Sequence, residues 1–119
     1  MRKLWPVTVL FVCLAAAGCK SAFINATVSN HRNTPLSLIE VDYPSASFGI
    51  QTLAPGEDYH YRFKVIGNGP ATVLWNEGQD QKRSSGPVLR DGDTGTLNVT
   101  FTNNPNPTWD VALANRAVR

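Results

Sequence analysis

Tyr59-His60-Tyr61-Arg62-Phe63-Lys64-Val65 is the stretch that decides the fold. Tyr59, Tyr61, Phe63 and Val65 alternate with His60, Arg62 and Lys64 without exception, and a two-residue period places the two sets on opposite faces of an extended strand. One face of that strand is core and the other is water. Gly67-Asn68-Gly69-Pro70 then turns the chain, because glycine accepts backbone angles that other residues avoid and proline presets its own. Beyond the turn Ala71, Val73 and Trp75 alternate with Thr72, Leu74 and Asn76, so the two segments read as a hairpin.

Moving toward the N-terminus, Leu53-Ala54-Pro55-Gly56-Glu57 is a tight turn that closes a short strand around Phe48-Gly49-Ile50. Pro44-Ser45-Ala46-Ser47 separates that strand from Leu36–Tyr43, in which Ile39, Val41 and Tyr43 share a face. Leu36 and Leu38 fall on the opposite face, which predicts either a bulge or a strand covered on both sides. Before the loop His31-Arg32-Asn33-Thr34-Pro35, the segment Ser21–Asn30 alternates Ile24, Ala26 and Val28 with Asn25, Thr27 and Ser29. That is the first strand.

Moving toward the C-terminus, Glu77–Pro87 has no apolar period and reads as a polar hairpin arm or a mobile loop. Val88-Leu89 suits a short edge strand, Asp91-Gly92-Asp93-Thr94-Gly95 a turn, and Thr96–Thr102 a last strand with Leu97, Val99 and Phe101 inward. Both prolines of Asn103-Asn104-Pro105-Asn106-Pro107 lack the ladder donor, so the strand ends there. Thr108 could cap a short helix toward Ala117, with Asp110 favourably placed in its first turn. A helix that short holds only if it docks Trp109. The sum is an all-β chain: an antiparallel immunoglobulin-like sandwich of about seven strands over residues 19–102, then a Pro/Asn-rich tail over 103–119 that is short and helix-capable. The two core cysteines that flank a tryptophan in antibody domains are missing, which makes the likeness architectural and leaves a small barrel as the alternative.

Ahead of the domain, Arg2 and Lys3 precede an apolar run from Leu4 to Leu14 and the small residues Ala15-Ala16-Ala17-Gly18-Cys19. That order is the order of a secretory signal. The site resembles the lipobox of bacterial lipoproteins, which implies removal of residues 1–18 and a lipid on the Cys19 sulfur. Ala16 stands where that family prefers leucine, so a second reading stays open, in which an ordinary signal peptidase cuts after Ala17 and the protein is secreted and soluble with Cys19 as a free thiol. Leu4–Gly18 is short of the ~20 apolar residues a membrane span takes, and Pro6 weakens a helix there. Val41-Asp42-Tyr43-Pro44-Ser45-Ala46-Ser47-Phe48-Gly49 together with Leu53-Ala54-Pro55-Gly56 resembles small lipoproteins of environmental bacteria. The likeness covers most of the mature domain and implies the same leader and sandwich, but it carries no activity with it.

The 100 residues after Cys19 are one domain's worth. Cys13 and Cys19 are the only cysteines, so no disulfide can form within that domain and its stability must come from packing. The chain has 11 Lys and Arg against 9 Asp and Glu; Arg2 and Lys3 leave with the leader, the remainder is formally neutral, and the basic footprint of a nucleic-acid binder is absent. Asn25-Ala26-Thr27 and Asn98-Val99-Thr100 match the glycosylation pattern but read as strand residues facing water.

No residue pattern supplies a catalytic set, a cofactor or a metal centre. His31 and His60 are the only histidines, too few for a zinc site without carboxylates gathered from distant loops. Asp91-x-Asp93-x-Gly95 has the first ligands of a calcium loop but lacks the closing glutamate. Ser45 or Ser47, His31 or His60, and Asp42 make a triad on paper, without the nucleophile elbow that holds one. Tyr59, Tyr61 and Trp75 have core spacing, whereas Trp109 follows two prolines in a polar tail and is the candidate ligand contact. The expectation is a non-enzymatic binding or structural module, tied to membrane lipid at the bacterial cell envelope through Cys19. Its partner would be an envelope protein or a glycan, and Lys20 after Cys19 is compatible with outer-membrane sorting. The alternative is a carbohydrate- or polymer-binding module working through Trp109 and the segment Gly78–Gly86.

Overall fold

The computed structural model describes residues 22–114. The proposed leader 1–18, the lipid-attachment candidate Cys19 and the end of the tail lie outside the described residues. Eight strands follow one another: β1 (Ile24–Asn30), β2 (Leu36–Tyr43), β3 (Ala46–Leu53), β4 (Asp58–Phe63), β5 (Gly69–Glu77), β6 (Asp80–Leu89), β7 (Gly95–Phe101) and β8 (Thr108–Leu113). They form two four-stranded sheets, ordered β4-β1-β7-β8 and β3-β2-β5-β6. This is the immunoglobulin-like sandwich, and every pairing is antiparallel except β1 with β7, where Ala26 lies beside Leu97 and Val28 beside Val99 in parallel register.

Hydrophobic alternation builds the interior. Ile24, Ala26 and Val28 of β1 and Leu97, Val99 and Phe101 of β7 face Leu36, Ile39 and Val41 of β2 and Ala71, Val73 and Trp75 of β5, all nearly or fully buried. Each large aliphatic side chain removed from water contributes ~1.5–3 kcal/mol. Trp75 meets Phe101 across the sandwich in an edge-to-face pair with centroids 4.9 Å apart. Asn30 is the fully buried polar side chain that ties the far end: its amide donates to the carbonyls of Thr34 and Leu53, and its Oδ1 accepts from the Arg32 amide. Arg32 then clamps the last loop from below, donating to the carbonyls of Thr102, Asn104 and Pro105 and pairing with Glu77.

Four sequence expectations change. The hairpin read from Tyr59–Val65 and Ala71–Asn76 does not form: β4 pairs with β1 in one sheet and β5 with β2 and β6 in the other, so the turn at 67–70 carries the chain across the sandwich instead of folding it back on its neighbour. The polar arm and Val88-Leu89 are one long strand, β6, hairpinned on β5 through Gly78. Its register shifts opposite Ala71, where Gly86 and Pro87 form a bulge; a bulge is where a residue without an N–H does no harm to a ladder. Over Thr108–Leu113 the tail is a strand and not the start of a helix: it pairs antiparallel with β7 from Thr100↔Thr108 to Gly95↔Leu113, so the sandwich extends past residue 102. A strand wins because β7 would otherwise leave a row of unpaired backbone groups at the sheet edge, and a helix as short as the one expected toward Ala117 is marginal by itself. Finally, the bulge expected in β2 falls at Leu38, which takes φ 50° as the register against β5 shifts between Ser37 and Glu40.

The strand directions give the sandwich two ends. The near end holds the start of β1, the β4–β5 segment 64–68 and the β6–β7 turn 90–94; the far end holds the loops 31–35, 54–57 and 102–107.

Candidate functional site

Trp109 sits on β8 and is half-buried. Its indole N–H donates to the Ser84 hydroxyl of β6 at 3.1 Å. Its ring lies flat in a slot made by Gly86, where an added Cβ would come within 2.5 Å of ring atoms. The candidate ligand contact is therefore engaged with the protein's own second sheet, and the segment Gly78–Gly86 that was to work beside it is the strand that receives it.

The residues of the paper triad are not brought together. Ser45 lies in the β2–β3 turn at the near end, His31 in a loop at the far end, and Asp42 on β2 of one sheet while His60 is on β4 of the other. The His60 ring is hydrogen-bonded across strands to the Thr27 hydroxyl at 3.0 Å. The two aspartates of the Asp91-x-Asp93 turn serve the backbone: Asp91 accepts from the Gly67 amide and Asp93, 1% exposed, from the Arg90 amide. Among the described residues no three His, Cys, Asp or Glu converge as a metal group would.

Two surface regions stand out instead. On the outer face of β2 and β3 a shallow depression of about 500 Å³ is lined by Leu38, Glu40, Ser47, Gly49 and Gln51 among others. Leu38 rises at its rim, 56% exposed, in a left-handed backbone conformation that a branched side chain rarely adopts. Beside it the Asp42 carboxyl raises the Glu40 carboxyl above its usual range, first by sharing a hydrogen bond with it and then by its charge. The break in alternation between Leu38 and Ile39 was the sequence signal for this face.

The second region is the near end. Phe23 leads into β1 with the Arg62 guanidinium 4.3 Å above its ring and the Lys64 ammonium at 5.9 Å. Its carbonyl accepts from the Gly95 amide, so the chain is pinned before the first strand begins. Next to it the segment 64–68 is laced to the turn 90–94: the Gly92 amide donates to Val65, the Gly67 amide to Asp91 and the Asp91 amide to Asn68. Ile66 projects from this tied loop with 63% of its surface exposed. No sequence period marked it, since it follows directly on buried Val65.

Among the described residues no helix is long and apolar enough to cross a membrane. No family model matches the chain, and no curated protein matches it in sequence. An NMR structure of a protein from Eubacterium rectale is similar in fold, with a TM-score of 0.55 at 9% identity over 79% of this chain and 94% of that one. At that identity the likeness is one of architecture, and it agrees with the sandwich described above.

Proposed function

We propose that this chain is a lipid-anchored module of the bacterial cell envelope, held through Cys19, whose sandwich binds or spaces other envelope components without chemistry of its own. The observation that carries the reading is Leu14-Ala15-Ala16-Ala17-Gly18-Cys19 at the end of a basic and then apolar leader, just ahead of the first strand at Ile24. A diacylglyceryl thioether on Cys19 with an acylated amine would put three chains in the bilayer, and at ~0.8 kcal/mol per buried methylene that attachment does not reverse. The test is the intact mass of the protein extracted from membranes of its host. A species beginning at Cys19 with three acyl chains is expected, and Cys19→Ser should abolish the lipid mass. A mature species beginning at Gly18 or Lys20 without lipid would replace this reading by the secreted one.

A glycan- or polymer-binding role is the second reading, and the strained, exposed Leu38 beside the β2–β3 depression favours it there over Trp109. Glycan-array binding lost in Leu38→Ser and kept in Ser45→Ala would support it. Binding unaffected by Leu38→Ser would remove that face from consideration.

A further inference from the structure

We propose that the near end of the sandwich docks on the bilayer surface, with Ile66 entering the headgroup boundary and Lys64 and Arg62 meeting anionic headgroups; this rests on the lipid-anchored reading of Cys19. The first argument is reach. Phe23 is fixed to the domain by its ring and its carbonyl, so only the residues before it are tether. At about 3.5 Å per residue, the chain from Cys19 to Phe23 can span no more than about 14 Å. The near end therefore stays close to any membrane that holds Cys19, and the far end, a full strand length away, does not.

The second argument is what that end presents. Ile66 is an apolar side chain held out in water by a loop with three backbone-directed ties, which present it in a fixed position at this end. An apolar tip flanked by cations is the pattern that lies in a lipid interface, where the apolar group buries by several ångströms and the cations stay with the phosphates. The third argument is charge. Among the described residues Arg62, Lys64 and Arg90 lie at or next to this end, balanced by Asp42, Asp91 and Asp93. Asp91 and Asp93 are turned to backbone donors. The far end carries Glu57, Asp58, Glu77 and Asp80 against Arg32 and Lys82. The described domain is thus polarised along its strands, with a neutral end where the tether begins and the negative pole at the end away from it. An anionic leaflet repels that negative pole within a Debye length of its surface, which leaves the near end as the one that can approach it.

The test uses the full chain extracted from host membranes and reconstituted in vesicles of phosphatidylglycerol and phosphatidylcholine that carry a headgroup nitroxide. With Cys13 removed and Cys19 acylated, a fluorophore can be placed on one cysteine introduced at the near end, Ser45→Cys, or at the far end, Asn104→Cys. Intact mass is read first on the same samples. Lipidated protein is expected to show several-fold stronger quenching of the near-end label, falling toward the far-end level when Ile66→Asp and Lys64→Glu are combined, and weakening in high salt. Both side chains are exposed, so the variant keeps its fold, which its far-ultraviolet circular dichroism checks. Lipidated protein whose near-end quenching ignores the double substitution would overturn the docking and leave the anchor standing. Protein without lipid on Cys19 would overturn the anchor, and the docking with it.

Discussion

The two long sides of the sandwich are closed in different ways. At the β3–β4 side the edge strands of the two sheets meet through a bank of aromatic rings: Tyr43 stacks on Phe63 at 3.9 Å and Phe48 on Tyr61 at 4.3 Å, with Tyr59 packed beside Phe48 at 6.1 Å. At the β6–β8 side a single ring, Trp109, spans the gap, seated in the space left by Gly86 and fixed by one hydrogen bond to Ser84. The first closure is redundant, since a ring removed leaves neighbours that still meet. The second depends on one residue and on the absence of a side chain opposite it. Closure by several rings tolerates imperfect placement, as with Tyr61, which is 38% exposed yet still stacks. Closure by one ring demands shape, and shape is what a glycine at the bulge supplies.

The comparison can be broken most severely on the aromatic side by charge. Phe63→Asp puts an unpaired carboxylate where the native ring is 4% exposed, and a loss of several kcal/mol or outright unfolding is expected in thermal melts. Arg62→Asp, one residue earlier and exposed, should cost less than ~1 kcal/mol. Equal shifts would mean that the facing of β4 is wrong.

On the other side Trp109→Ala should cost about 2–3 kcal/mol, below the range for a fully buried tryptophan because the ring is half-buried. Hydrogen exchange of β8 amides should accelerate while β4 amides stay protected, which distinguishes local opening from global loss. Phe48→Ala at the aromatic side should leave exchange in β8 unchanged.

Gly86→Ala sharpens the point by adding one methyl group where the indole lies. A cost of about 1–3 kcal/mol is expected from overpacking, and it should shrink markedly when Trp109→Ala is already present, because the two residues occupy the same space. Additive costs would show that the slot does not hold the ring in solution. Ser84→Ala removes only the hydrogen-bond acceptor and should cost about 1 kcal/mol.

The smallest effect is one of pH. Burial, then the neighbouring Tyr61 hydroxyl by charge and hydrogen bond, pushes the Tyr43 hydroxyl above the ordinary tyrosine value. A group raised on folding adds stability that is fully present below its unfolded pKa of about 10 and is lost as pH rises through the folded value. The aromatic side should therefore weaken in alkali. Tyr43→Phe should flatten that part of the stability profile, with denaturant midpoints between neutral and alkaline pH as the measurement.

Much of the fold was legible because strand alternation is a local property. The facing of Ile24 to Val28 and of Leu97 to Phe101 follows from a two-residue period that each strand carries within itself, whereas in β4, which ends at Phe63, the period puts Tyr59, Tyr61 and Phe63 on one side but leaves Tyr61 exposed. The irregular position in β2 was legible as well, since Leu36 and Leu38 broke that period. Arg32 was not: in the sequence it is one polar residue of a loop, and its three carbonyl partners lie some seventy residues away. Ile66 stood out neither by period nor by composition, because its exposure follows from the way two loops tie to each other.

By itself the sequence determined which residues of β1, β5 and β7 point inward, where several of the turns fall and that the domain must be stable without disulfides, since these depend on period, on turn chemistry and on cysteine count. Only the tertiary structure decided the fate of the C-terminal segment. Thr108, Asp110 and Trp109 suit the start of a helix as well as they suit a strand, and no local signal chooses between them. The exposed edge of β7 makes the choice by offering Thr108–Leu113 a full ladder of hydrogen bonds, and Gly86 on the opposite sheet offers its tryptophan a place to bury.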